Sequence, residues 1–395
     1  MSPSPDYVAI SADDHLQEPV TLWQERLPKR LVPLGPRLVE LPNGGHAFQI
    51  GDTAPKPLDI LVAAGQSIER KREQLPARWE NVRPGFYDPR ARLADMDQDG
   101  VYASVMYPNM LLDVAMNQVD VAREAKLAML QVYNDHMSEF CAVSTERLVG
   151  YGILPTESPE QAVAEMRRVA RLGSVRGMLL PVVPDLGDWS DEHWEPVWAA
   201  AVELAFVLSL HAGKPRWMPR RSELAKRPHG MGLYIHAGYT SVIESFTHLF
   251  WSGCFDRHPG LVIISVEGGI GWLPHWKERA GKVFSRWAAD EGFSRPPSEW
   301  FGRNFFATFE EDTVGLRCLD LLGADTVMWA SDYPHSASFF PGSREHIARE
   351  FEDIAEADRR KITWETAARI YGLAARDAVV KAGPAVPSPA AAARR

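Results

Sequence analysis

The sequence predicts an α/β fold, a (β/α)8 or TIM barrel with long insertions after its first and fifth strands. Three observations lead there. Eight short apolar runs alternate with segments of helical periodicity, the pattern of parallel strands joined by crossover helices. No glycine-rich phosphate loop follows the first run, which argues against an open nucleotide-binding sheet. Several runs stop on an ionisable residue, where the strand ends of a barrel converge on one mouth.

The first run, 7–12, leads into Asp13-Asp14-His15. A period of two puts Asp13 and His15 on one face and Asp14 on the other, the spacing that two ligands of one metal need. Residues 19–87 read as a lid-like insertion, with a hairpin turn at Pro42-Asn43-Gly44-Gly45. A helix capped by Asp88 follows, with Leu93 and Met96 at apolar spacing. The second strand, 101–107, ends at Pro108-Asn109 and precedes a helix over 115–142. The third, 148–154, precedes a helix over 158–172 that starts at Ser158, and the fourth, 175–181, a helix over 191–204. The fifth, 205–210, stops on His211-Ala212-Gly213 and opens a second excursion over 212–240, with a helix over 240–252. The sixth, 261–266, stops on Glu267-Gly268-Gly269, and the seventh, 305–309, on Glu310-Glu311-Asp312. The eighth, 326–330, runs into Ser331-Asp332-Tyr333-Pro334-His335, where Pro334 lacks the N–H a longer ladder would need. A helix over 363–372 closes a single domain over 1–381. The Ala/Pro-rich tail 382–395 is predicted to be disordered.

Of the 395 residues 45% are hydrophobic and 24% charged, enough for a large core. A net charge of -9 without a basic cluster speaks against nucleic-acid or membrane-surface partners and for a small-molecule substrate. Cys141, Cys254 and Cys318 are odd in number and form no CxxC pair, so neither a disulfide framework nor a thiolate zinc site is expected. The N-terminal stretch has no basic and apolar export signal, and no apolar run has membrane-spanning length. A cytoplasmic location is the expectation.

In such a barrel Asp13, His15, His211, Glu267 and Asp332 meet at the mouth. Two imidazoles with carboxylates describe a divalent site of mixed nitrogen and oxygen ligands that keeps one or more positions for water. A bound metal lowers the pKa of its water, and a neighbouring carboxylate can then carry the proton. Asp332, Glu267 and His211 are the candidate catalytic residues, Asp332 as proton carrier. Each has a plainer reading as well: Asp13 as a cap, His15 as a solvated loop residue, Glu267 as an acid bonded to backbone amides. Five such groups at one mouth outweigh those separate readings. Arg216 and Lys214 are candidate cations for an anionic substrate, His236 reads as a loop histidine within reach of it, and His335, a further candidate to touch the substrate, as a donor behind Asp332 or only part of the turn. Trp217, Tyr234, Phe339 and Phe340 suggest a partly apolar pocket.

The motifs Asp-x-His, His-Ala-Gly, Glu-Gly-Gly-Ile-Gly-Trp-Leu-Pro at 267–274 and Ser-Asp-Tyr-Pro-His at 331–335 resemble the amidohydrolase superfamily. So do Tyr87-Asp88-Pro89-Arg90-Ala91-Arg92-Leu93-Ala94-Asp95-Met96-Asp97 and Gly253-Cys254-Phe255-Asp256-Arg257-His258-Pro259. The branch it is most similar to holds aminocarboxymuconate semialdehyde decarboxylase and γ-resorcylate decarboxylase. The resemblance spans most of 8–373. It implies a ligand pair at Asp13 and His15, a histidine ligand at His211, an aspartate at Asp332 that is both ligand and proton carrier, and a homodimer. The chain departs from the branch at Glu267, where those decarboxylases carry an acid/base histidine. Three ionised acids would outnumber the charge of one dication, which admits Mn or Mg beside the Zn that two imidazoles favour. The expected activity is hydrolysis of an ester, amide, lactone or C–C bond through metal-activated water. The alternatives are non-oxidative, metal-dependent decarboxylation of an aromatic or unsaturated acid, and a barrel that binds a metal or ligand without catalysis.

Overall fold

The computed structural model describes residues 7–66, 77–117, 119–219, 221–224, 226–288 and 292–382, so nearly all of the expected disordered tail lies outside the described residues. Among the described residues eleven strands follow in chain order: β1 (Ala9–Leu16), β2 (Pro36–Glu40), β3 (His46–Ile50), β4 (Lys56–Pro57), β5 (Val101–Pro108), β6 (Leu148–Ile153), β7 (Val175–Leu180), β8 (Val207–His211), β9 (Ile263–Val266), β10 (Phe305–Phe309) and β11 (Val327–Trp329). Eight of them form one parallel sheet in the order β1-β5-β6-β7-β8-β9-β10-β11, the predicted succession. Helices cover the outside, so these strands are buried on both faces and read as continuous apolar runs. Arg176 on β7 is the one barrel-strand residue that is not buried.

The sheet closes without a regular ladder between its first and last strands. The N–H of Asp332 donates to the Asp13 carbonyl at 3.0 Å, the His15 N–H to the Tyr333 carbonyl at 2.6 Å, and the Ser331 N–H to Ser11 Oγ at 2.8 Å. The seam of the barrel therefore coincides with the ends of the strands that carry Asp13, His15 and Asp332. The predicted first strand stopped at residue 12, whereas β1 continues through Leu16. Asp14 and His15 remain in register with Met106 and Tyr107 of β5, after a shift between Ser11 and Asp14. A register shift beside a site re-aims side chains, and here it lets polar residues stay within a buried strand.

The two insertions differ in how they are held. In the first, β2, β3 and β4 form an antiparallel sheet with the predicted hairpin, where Gly44 at φ +81° supplies a turn conformation L side chains rarely adopt. Trp23, Phe48 and Phe86 bury this segment against the barrel. Its last helix, Pro89–Asp99, starts on Asp88, whose carboxylate accepts from the N–H groups of Arg90 and Ala91, and stops at Gly100 with φ +79°. The second excursion holds the helices Arg221–Leu224 and Gly230–Ala237 and leaves Trp217 62% and Ile235 66% exposed. The four aromatics expected to line a pocket are dispersed: Trp217 faces solvent, Tyr234 packs on Met218, Leu224 and Ala237, Phe339 stacks on His346, and Phe340 meets Tyr333 edge-on. Among the described residues no helix is long and apolar enough to cross a membrane.

Candidate active site

His15 and His211 are both fully buried, and each turns Nδ1 to a backbone carbonyl: Pro108 O at 2.8 Å and Ala212 O at 2.9 Å. A carbonyl only accepts, so Nδ1 carries the proton and Nε2 presents a lone pair. The two Nε2 atoms each lie 3.8 Å from Asp13 Oδ1, and His15 Nε2 is 3.4 Å from Asp332 Oδ1. Glu267 Oε2 stands 3.3 Å from His211 Nε2. Asp13, His15, His211 and Glu267 each offer an atom within 4.8 Å of all the others, and so do His15, Asp332 and His335.

The donor set fits a divalent ion. Both carboxylate oxygens of Asp13 and both Nε2 atoms are buried without a hydrogen-bond partner. Polar atoms taken out of water and left unpaired cost about 1–3 kcal/mol each, and four of them facing one another is the arrangement a cation would resolve. Glu267 and Asp332 also share a backbone conformation, with φ +54° and +55°. Non-glycine residues in the left-handed region store about 1–3 kcal/mol and cluster at functional sites. Glu267 follows β9 directly, and Asp332 lies three residues beyond the end of β11.

Behind Asp332 lies a hydrogen-bonded chain. Asn109 donates through Nδ2 to Gln17 Oε1 at 3.1 Å and to the Leu61 carbonyl at 2.9 Å, which fixes its Oδ1 toward His335 Nε2 at 3.1 Å. That oxygen accepts, so His335 Nε2 holds a proton. His335 Nδ1 is 2.7 Å from Asp332 Oδ1, an ion-pair distance. Burial alone would raise the Asp332 carboxyl, but His335 and His15 overcome it and hold it below the usual carboxylate range. The other acids go the opposite way. Burial raises Asp13 and Glu267, reinforced by the Asp332 charge. Burial also lowers His211 to about 3, with His15 beside it, and so keeps its imidazole neutral.

Sequence reasoning missed three participants. Glu310 directly follows β10, the strand between β9 and β11; burial and the charge of Asp332 raise its carboxyl to about 8, and its Oε1 is buried without a partner. The signal was present, since the seventh run also stops on an acid. Lys56 arrives from the insertion, where no local pattern marked it. Its Nζ pairs with Asp113 Oδ1 at 3.1 Å, both side chains are largely buried, and its charge acts on Glu267 and His335. Tyr107 packs edge-on against His211, with ring centres 5.4 Å apart, and tilted against His15 at 6.3 Å.

The structure thus brings together Asp13, His15, His211, Glu267, Asp332 and His335. It does not add Arg216 or His236. Arg216 is half exposed and held by Asp188 at 2.8 Å, with Glu244 at 3.6 Å, and Lys214 Nζ is turned to the carbonyls of Pro215 and Met218. His236 is exposed on the helix Gly230–Ala237 rather than in a loop. Arg216 lies close to His211 in sequence, but in space its guanidinium is held by Asp188 and Glu244.

The profile of the family described as Amidohydrolase matches residues 45–373. Gamma-resorcylate decarboxylase of Rhodococcus jostii (strain RHA1) is 26% identical over 327 residues, 75% of this chain and 91% of that protein. Among solved structures, an amidohydrolase from Mycobacterium avium subsp. paratuberculosis K-10 has a TM-score of 0.71 at 20% identity, covering 93% of this chain and 99% of that one. Dihydroxybenzoic acid decarboxylase from Polaromonas sp. JS666, with bound manganese and the inhibitor 2-nitroresorcinol, has a TM-score of 0.58 at 21% identity, covering 93% and 97%. At such identities the structural likenesses speak for the barrel alone. The profile match across most of the chain, with the barrel it requires, makes this protein an enzyme of the amidohydrolase family.

Proposed function

We propose that the chain is a metal-dependent, non-oxidative decarboxylase of a small aromatic or unsaturated carboxylic acid. The observation that carries this reading is the Asp332–His335 pair, with Oδ1 and Nδ1 2.7 Å apart, beside two imidazole lone pairs and an unpaired Asp13. The similarity to gamma-resorcylate decarboxylase supports it. Asp13, His15, His211 and Asp332 would hold one divalent ion, and Glu267 is a further donor beside His211. The mixed nitrogen and oxygen set suits zinc, favoured by the imidazoles, and manganese, present in the Polaromonas decarboxylase. When bound, the ion supplies positive charge for the substrate's carboxylate and a neighbouring oxygen.

The chain's own residues do the rest. Lys56 gives the mouth a second positive charge for an anionic substrate. Glu267 and Glu310, pushed toward their neutral forms by burial, limit the negative charge facing it. The Asp332–His335 pair is the proton donor to the carbon that bears the carboxylate. When the C–C bond breaks, its electron pair stays with that carbon and CO2 departs, so one proton replaces one carboxylate. A homodimer and a cytoplasmic location, implied by the resemblance and the composition, belong to the same proposal.

Glu267 favours a second reading. A carboxylate at the position of the branch's histidine could accept a proton from attacking water, the chemistry of hydrolysis. Incubation in H2(18)O with aromatic carboxylates, esters and lactones separates the two. Release of CO2 without label in the product supports decarboxylation; labelled acid without CO2 overturns it in favour of hydrolysis. Elemental analysis of the parent and of His211→Ala tests the metal, with about one ion per chain expected in the parent and loss in the variant.

A further inference from the structure

The face of β1 turned away from the mouth carries a second polar cluster. Asp14, buried between Asp13 and His15 in sequence, accepts from Ser11 Oγ at 2.8 Å, from the Tyr333 N–H at 3.1 Å and from Ser104 Oγ. These bonds tie β1 to β5 and to the turn after β11. Arg92, 1% exposed, comes from the helix that ends the first insertion. Its Nη2 donates to the His15 carbonyl at 2.5 Å, its Nε donates to the Gly85 carbonyl at 2.7 Å, and its guanidinium lies 4.4 Å from the centre of the Tyr333 ring. The Tyr333 hydroxyl donates in turn to Asp95, which Arg83 holds at 2.5 Å.

Two opposite charges buried this deeply persist only when they compensate one another and are hydrogen-bonded. Here their bonds converge on the backbone of the residues that would hold the metal. Asp14 sits between Asp13 and His15, Tyr333 follows Asp332, and Arg92 grips the carbonyl of His15. Because β1 and β11 lack a regular ladder, the separation of Asp13 and His15 from Asp332 and His335 is set by a few backbone bonds and by this cluster. We propose that Asp14 and Arg92 are positioning residues for the metal site, holding its two halves in register across the barrel seam although neither faces the mouth. The inference rests on the metal-site reading above and extends it to residues on the opposite face of β1.

Full-length protein, freed of metal, is titrated with Mn2+ or Zn2+ against a chromophoric chelator, and melting without metal is recorded in parallel. Asp14→Asn and Arg92→Lys should bind the ion about 10–100-fold more weakly, the range for partners that orient metal ligands. Val169→Ala, a buried core truncation on the helix Pro159–Ala170, serves as control: it should lower melting yet keep the parental affinity. Folded Asp14 and Arg92 variants with parental affinity, or a control that loses as much, overturn the proposal. If neither variant folds, Ser104→Ala, which removes one bond to Asp14, decides: weaker binding supports positioning and unchanged binding overturns it. A parent that binds neither ion overturns the metal-site reading as well.

Discussion

The two sides of the mouth treat the same functional group in opposite ways. On the β1 and β11 side, Asp332 lies against His335 and His15, and these imidazoles keep it ionised despite burial. On the β9 and β10 side, Glu267 has one neutral imidazole and Glu310 has a buried oxygen with no partner, so burial and the charge of Asp332 raise both. Carboxylates crowded into one site cannot all ionise, and the partners at hand decide which give way. One half is thus equipped to carry a proton and bind a cation, the other to stay closer to neutral.

The largest break in that comparison is Asp332→Asn. It should lower kcat by about 10²–10⁴-fold, the range for a positioned proton carrier, with the fold retained. A turnover assay beside circular dichroism checks it, and parental turnover would remove Asp332 from its role. Lys56→Met should follow, raising KM by about 10–100-fold for an anionic substrate and much less for a neutral analogue, from loss of a charge-assisted contact worth about 1.5–3 kcal/mol. An equal effect on both substrates would refute an electrostatic role.

Glu310→Gln sharpens the comparison through stability. The folded carboxyl, near 8, lies above its ordinary value of 4.5, so the folded chain keeps a proton that the unfolded chain releases between those values. The parent therefore loses stability as pH rises through this window, and glutamine removes that loss. Urea melts of metal-free protein should show the variant gaining about 1–3 kcal/mol over the parent between pH 5 and pH 8, at about 1.4 kcal/mol per unit discounted for relaxation. A constant difference across that range would place Glu310 among ordinary ionised acids. The smallest effect belongs outside the mouth: Arg216→Ala and His236→Ala should leave kcat/KM within about twofold, as surface changes away from a site usually do. A tenfold fall for either would return the second excursion to the site.

Much of the site was legible because strand ends are. Asp13 and His15 at a spacing of two, His211 before Ala-Gly, and Asp332 before Tyr-Pro are local patterns, and a barrel converts each into a position at one mouth. Arg216 was misread for the complementary reason: its neighbourhood in sequence is His211, but its neighbourhood in space is Asp188 and Glu244. Lys56 had no legible sign at all, since its importance comes from where a 19–87 insertion delivers it. Glu310 obeyed the strand-end rule as well as Glu267 did, and it became informative only through its burial without a partner.

Read alone, the residues determined the barrel, the order of its strands and the strand ends that carry the ionisable residues, because apolar periodicity and chain breakers act over a few residues. Only the tertiary structure decided which acids ionise, which imidazole nitrogens face inward and which residues brace the seam. Those properties depend on distances between segments hundreds of residues apart, such as Ser11 and Ser331 or Asp14 and Tyr333, and on the water their packing excludes.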